Sequence, residues 1–219
     1  MKEFYDAQYK QPNYFRHREW LDAPYVSSLI SFSGLKPGSS VLDVGCGQGF
    51  FSYLLHKCGM RVHGIDISET GIRDAENHYG KLGITFEATD INTAVFPSKF
   101  DCIFVRSCSL YNTEAFAACD QVTCTLLGHL KADGVFIFVY NSNFSSTANS
   151  PFRCHSPHDV AEHFRRYSNA KVFFSIKIDT WLFRKYAFNS FVTGISILLS
   201  RVCGIGGDLI CVLKHPSRI

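Results

Sequence analysis

The chain has 219 residues, enough for one domain with a sizeable core, and its 46% hydrophobic and 19% charged content excludes a disordered chain. A net charge of +3 with no dense Lys/Arg run gives no electrostatic grip on nucleic acid. The nine cysteines form no Cys-x-x-Cys pair and share no zinc-type spacing with histidine, so neither a disulfide framework nor a metal site is expected.

The opening "MKEFYDAQYK" has no apolar signal-peptide core, which, with cysteines read as reduced, points to the cytoplasm. The segment "FYDAQYKQPNYFRHREW" crowds Tyr5, Tyr9, Tyr14, Phe15, His17 and Trp20 into a polar stretch. Residues 1–35 are expected either to fold over a ligand as a lid or to staple the sheet edge as a helix. "SVLDVG" then reads as a buried strand, and "FFSYLLHKCG" as a helix stopped by Gly59. "RVHGIDIS" is a second strand, after which Ser68 caps the helix "ETGIRDAENHYGKLG". "ITFEATDI" and "FDCIFVRSC" are the third and fourth strands. A long helix is expected from Thr113 to about Leu130, then a "KADG" turn and a fifth strand, "VFIFVYN".

Beyond that strand, Ser156 and Pro157 start a helix, "AKVFFSIKID" reads as a sixth strand, and "DLICVLKH" as a seventh. Residues 181–205 between them form a long aromatic and apolar insertion. Its "YAFNSFVTGISILLS" stretch is too short and too polar to span a membrane. It reads as a packed or lid helix, with a membrane-surface helix as an alternative. Strands alternating with helices imply a parallel sheet covered on both faces, which binds ligands at the carboxyl ends of its strands.

The first such end carries "DVGCGQG". A dinucleotide loop, G-x-G-x-x-G, would need its third glycine where Phe50 stands. Gly45, Gly47 and Gly49, preceded by Asp43, instead match D/E-x-G-x-G-x-G at every fixed position. This resembles the first motif of class I S-adenosylmethionine-dependent methyltransferases, and the likeness runs from about Val41 to Asn141. The resemblance implies a single domain over residues 1–219, a Rossmann-like three-layer α/β sandwich. Its seven-stranded sheet is mostly parallel, with the last strand antiparallel.

The cofactor so implied is S-adenosyl-L-methionine, leaving as S-adenosyl-L-homocysteine. The glycine turn would lie against its methionyl part and Asp43 would help hold its ammonium. Asp66, with Ile67, ends the second strand where a carboxylate can take both ribose hydroxyls. Asp90 would take the adenine amino group while Ile91 packs on the ring. Arg106 would line the rim near the methyl group, and Tyr9 and Tyr14 are candidates to reach the cofactor's carboxylate.

On the acceptor side the family pattern thins. "RSCSLYN" has neither the Asn/Asp-Pro-Pro-aromatic motif of DNA amino-methyltransferases nor a Pro-Cys nucleophile, and only Glu114 could add a metal ligand. The expected acceptor is therefore a small molecule or sugar, methylated on oxygen or nitrogen without metal or nucleic acid. His155, in the polar loop after strand five, is the expected proton acceptor. The rival readings are a cofactor-binding partner or sensor module without turnover, and a nicotinamide-dependent oxidoreductase.

Overall fold

A computed structural model of the protein describes residues 2–10, 17–113, 116–145, 154–178 and 180–217. Two helices lead the chain, α1 (Lys2–Tyr9) and α2 (Glu19–Ser33). α2 ends on Gly34, whose left-handed φ of 83° lets its N–H return to the carbonyls of Ile30 and Ser31. Then come β1 (Ser40–Val44), α3 (Phe50–Lys57), β2 (Arg61–Asp66), α4 (Glu69–Tyr79), β3 (Thr85–Ala88) and β4 (Phe100–Arg106). The remainder is α5 (Asp120–Gly128), β5 (Leu130–Ser142), α6 (Pro157–Arg165), β6 (Lys171–Ile176), α7 (Trp181–Lys185), α8 (Ser190–Cys203) and β7 (Gly207–Lys214).

The seven strands form one sheet in the order β3-β2-β1-β4-β5-β7-β6. β1 to β5 pair in parallel, and β7 runs antiparallel between β5 and β6. The expected fold class therefore stands, antiparallel last strand included. Side chains alternate across the sheet with the period of two that a strand imposes. On one face Leu42, Val44, Phe136 and Phe138 meet Leu126 and Phe164 of α5 and α6. On the other, Val41, Phe104, Ile137 and Val139 meet Tyr25 and Leu29 of α2 and Leu54 of α3. Each such side chain contributes roughly 1.5–3 kcal/mol by leaving water.

Two sequence boundaries shift. The helix expected from Thr113 begins only at Asp120, after a 3-10 turn over Phe116–Cys119. Asp120 in its first turn complements the helix dipole and marks the true start. "KADG" does not end a strand. It bulges within β5, where the register against β4 jumps from Phe100↔Leu130 to Cys102↔Val135. All nine cysteines are free thiols.

The parallel strands bring the ends of β1, β2, β3 and β4 to one edge of the sheet. Because β7 is antiparallel, its first residues arrive at the same edge: Asp208 sits opposite Asn141 of β5 and Ser175 of β6. That placement brings a carboxylate 102 residues from Arg106 in sequence to within 3.4 Å of it.

Candidate active site

A cavity of about 330 Å³ opens at this edge. Its floor is the turn after β1. The N–H groups of Gly45 and Cys46 both donate to the Ile65 carbonyl of β2, at 2.8 and 3.0 Å, which pins the turn to the neighbouring strand. Gly47, at φ +53°, presents bare backbone: a Cβ there would lie 2.6 Å from the Tyr9 hydroxyl. Gly45 and Gly47, read from the sequence as cofactor contacts, line the cavity, and Gly49, read as a third, does not. Its missing Cβ instead makes room for Ala75 and the Phe86 ring, each 2.9 Å from where that carbon would sit, so it serves the packing of α4 and β3 beneath the turn.

Three carboxylates converge on the cavity. Asp43 is buried at the end of β1, where the Ser52 hydroxyl of α3 donates to it at 2.5 Å. Burial, set against that hydrogen bond, raises its pKa to about 7. Asp66 accepts from the Gly47 N–H and the Ser68 N–H, both at 2.9 Å, and so ties the glycine turn to the start of α4. Burial raises its pKa also. Asp90 is exposed and folds its own loop by accepting from the Asn92 N–H at 2.9 Å. Ile67 and Ile91 flank these groups in the cavity wall.

The N-terminal helix closes one side. Tyr5 and Tyr9 line the cavity, and the Tyr9 ring lies over Gly47 and Gly71, whose added Cβ would sit 3.0 Å from it. α1 is held onto α4 at its capping end. Asp6 accepts from the Ser68 hydroxyl at 2.5 Å and from the Thr70 N–H at 3.2 Å, and Lys2 pairs with Glu69. A carboxylate at a helix N-terminus is the favoured arrangement. Tyr14, Phe15 and Glu114 lie outside the described residues.

On the opposite wall Arg106 lies with its guanidinium 4.0 Å over the Phe51 ring. Ser107, next in the wall, is held at φ +49°, a left-handed conformation costly for a residue with a Cβ and one that concentrates at working sites. Arg106 leads into a charged group with no signature in the sequence. Asp208, fully buried, is met by Arg184 at 2.7 Å, Lys177 at 3.0 Å and Arg106 at 3.4 Å, and Arg184 reaches on to Asp22 of α2 at 2.5 Å. The Arg184 guanidinium also lies 4.0 Å over the Tyr25 ring. The three cations, opposing the desolvation of Asp208, hold its pKa far below the carboxylate range. Residues 22, 106, 177, 184 and 208 share no local motif, so only the fold assembles them.

The two histidines differ in where they lie. His155, expected as the proton acceptor, is buried and absent from the cavity wall. Its Nε2 donates to the Tyr111 carbonyl at 2.8 Å, its ring packs 4.9 Å from that of Tyr140, and its own carbonyl accepts from the Ser142 hydroxyl. It secures the loop before α6. His17 faces the cavity instead, stacked 4.5 Å from the Phe50 ring at 3°. Burial, and then the nearby Arg106 charge, lower its pKa to about 4 and keep it neutral. Its place in the aromatic N-terminal segment was the one sequence signal that pointed to it. Among the described residues no group of three His, Cys, Asp or Glu side chains could hold a metal ion.

The comparisons agree with this geometry. A family model described as a methyltransferase domain matches residues 35–185. The chain is 36% identical to phosphoethanolamine N-methyltransferase 1 of Zea mays over 118 residues, 48% of this chain and 24% of that enzyme. It thus spans about a quarter of the length of that relative. Among solved structures, phosphoethanolamine N-methyltransferase 2 of Haemonchus contortus in complex with S-adenosyl-L-methionine superposes with a TM-score of 0.70 at 17% identity, over 99% of this chain and 60% of that one. N-methyltransferase NodS of Bradyrhizobium japonicum, in complex with S-adenosyl-L-homocysteine, gives 0.68 at 14% identity over 97% of both chains. With its glycine turn, its carboxylate-lined cavity and a family match over most of its length, the chain belongs to the class I S-adenosylmethionine-dependent methyltransferase family.

Proposed function

We propose that the protein transfers a methyl group from S-adenosyl-L-methionine to an oxygen or nitrogen of a small-molecule acceptor and releases S-adenosyl-L-homocysteine. The observation that carries this reading is the pairing of a side-chain-free turn with Asp43, Asp66 and Asp90 around one cavity. Carboxylates suit a cofactor that bears a sulfonium and an ammonium, and would repel a pyrophosphate. Asp66 would take the ribose hydroxyls, Asp90 the adenine amino group between Ile67 and Ile91, and Asp43 the ammonium through the turn. Tyr9 would close over the methionyl end beside Gly45 and Gly47. The cofactor supplies an already activated methyl group. The protein's work is then to position the acceptor, exclude water and take up a proton where the acceptor has one to lose.

His17 supports that last role, because it brings a neutral imidazole to the cavity wall. The acceptor would enter between His17, Arg106 and Ser107. Beside this entrance three cations meet two carboxylates, Asp208 and Asp22, and one positive charge is left over. An acceptor with an anionic group fits that excess, and phosphoethanolamine, the substrate in the relatives' names, has such a group. The free thiols suit a reducing compartment such as the cytoplasm. No helix among the described residues is long and apolar enough to cross a membrane.

Calorimetry with S-adenosyl-L-homocysteine and with NAD, followed by transfer of labelled methyl to phosphoethanolamine and to ethanolamine, tests the reading. Binding of the first ligand alone and faster turnover of the phosphorylated amine are expected. Binding of NAD would overturn the cofactor assignment. Cofactor binding without methyl transfer to any acceptor would favour a partner or sensor module.

A further inference from the structure

α8 carries apolar side chains on its outer as well as its inner face. Its protein-facing side holds Thr193, Ser196 and Ser200 beside Ile197 and Leu199, which pack on the core. Both serines are fully buried, and the Ser196 hydroxyl has no hydrogen-bond partner among the described residues. Thr193 accepts from the Phe174 N–H and so covers the open edge of β6, and Ser200 accepts from the Phe144 N–H. The solvent side carries Phe191, Leu198 and Val202, exposed by 77%, 61% and 76%. Their spacing of seven and four places them along one face. α7, just before it, adds exposed Trp181 and Leu182, and Tyr186 follows as its C-cap residue, also exposed. A water-facing helix normally keeps its outer face polar, and apolar patches of this kind mark interaction sites.

Charge identifies the partner. Between Thr180 and Gly207 the sequence holds no Asp or Glu. The exposed charges there are Lys185, its ammonium 5.2 Å over the Trp181 ring, and Arg201. A second copy docked through the same face would set these cations against their own kind with no carboxylate on that face to meet them. An anionic lipid surface meets both features. Its acyl boundary takes the apolar ridge, its headgroups take Lys185 and Arg201, and Trp181 and Tyr186 are the side chains that settle at such boundaries.

We propose that α8, with α7, seats the protein on the surface of a bilayer containing anionic phospholipid. The full chain would be mixed with phosphatidylcholine vesicles, with and without phosphatidylglycerol, and sedimented. Binding to the phosphatidylglycerol vesicles that weakens as salt is added is expected. The triple variant F191S/L198S/V202S changes only exposed side chains and should keep its circular dichroism while losing at least about tenfold in vesicle affinity. Lys185→Glu with Arg201→Glu should remove the preference for phosphatidylglycerol while leaving the apolar ridge intact. The proposal is overturned if the wild type stays in the supernatant with phosphatidylglycerol vesicles, or if both variants bind as it does. It is equally overturned if ultracentrifugation finds a dimer that the triple substitution dissociates.

Discussion

The two halves of the cavity carry opposite charge and are built in opposite ways. The β1–β3 side uses bare backbone and carboxylates, drawn from short continuous stretches at the strand ends: Asp43 to Gly47, Asp66 with Ile67, Asp90 with Ile91. The β4–β7 side presents one long cationic side chain, Arg106, which is backed behind the cavity wall by Lys177 and Arg184, gathered round Asp208 from separate elements. A site that grips its ligand through backbone depends on local conformation. A site that grips through long side chains depends on how distant elements pack, and each charge there is held in place by its neighbours.

The greatest damage should come from breaking the charged half. Asp208→Asn leaves Arg184 and its neighbours without their central anion. Removing one partner of a buried ion pair costs about 3–5 kcal/mol, so urea denaturation should show a loss of that order. A loss no larger than a surface substitution would mean that the group is well hydrated and not a keystone.

Gly47→Val probes the other half. The side chain forces a left-handed residue out of its preferred range and enters the space beneath Tyr9. S-adenosyl-L-homocysteine affinity should fall by about 100-fold or more, the scale of a filled contact surface, while the sheet persists by circular dichroism. Retained affinity would show that the turn is not the contact surface.

The histidines sharpen the comparison at the boundary between the halves. His17→Ala should slow turnover by about 10²-fold, within the usual range for loss of a positioned base. His155→Ala should lower thermal stability and leave turnover of the folded protein within about threefold of wild type, well short of that range. The reverse order would restore His155 to the chemistry.

The pH dependence concerns Asp43. Its folded pKa, near 7, lies above its unfolded value, so the native state holds a proton that the unfolded chain releases. Wild-type stability should therefore lose this contribution as pH rises from about 4 to about 7. His17 acts oppositely: its lowered pKa costs stability as pH falls from about 6.5 towards about 4. Comparison with Asp43→Asn cancels the His17 part. The difference in Tm between the two proteins, followed without ligand, should change by roughly 10 °C across that window, the size expected when a carboxyl pKa rises to about 7 in a chain of this length. A constant difference would show that Asp43 stays ionised.

The same division explains what the sequence revealed. The strands, the glycine turn and the carboxylates at strand ends were legible because each is a local pattern of a few residues with a backbone reason behind it. The place of Gly49 was not legible, because the motif asks for a glycine there without saying which side needs the space, and in the structure Phe86 and Ala75 take it. The start of α5 was misplaced because apolar periodicity continues through a 3-10 turn. Arg184 and Asp22 lie 162 residues apart and meet only because α7 packs on α2, which no spacing rule can anticipate.

The clasp between α1 and α4 sets a rhythm for the cavity. It is made of partly exposed polar contacts, Asp6 on Ser68 and Lys2 on Glu69, and of one ring, Tyr9, resting where the glycine turn is bare. Exposed ion pairs hold weakly, so the helix should release far more often than the sheet opens. If the turn holds the cofactor as proposed, its arrival and the departure of the spent form would both wait on that local opening, and the lifetime of the closed state would be set by the eight residues of α1.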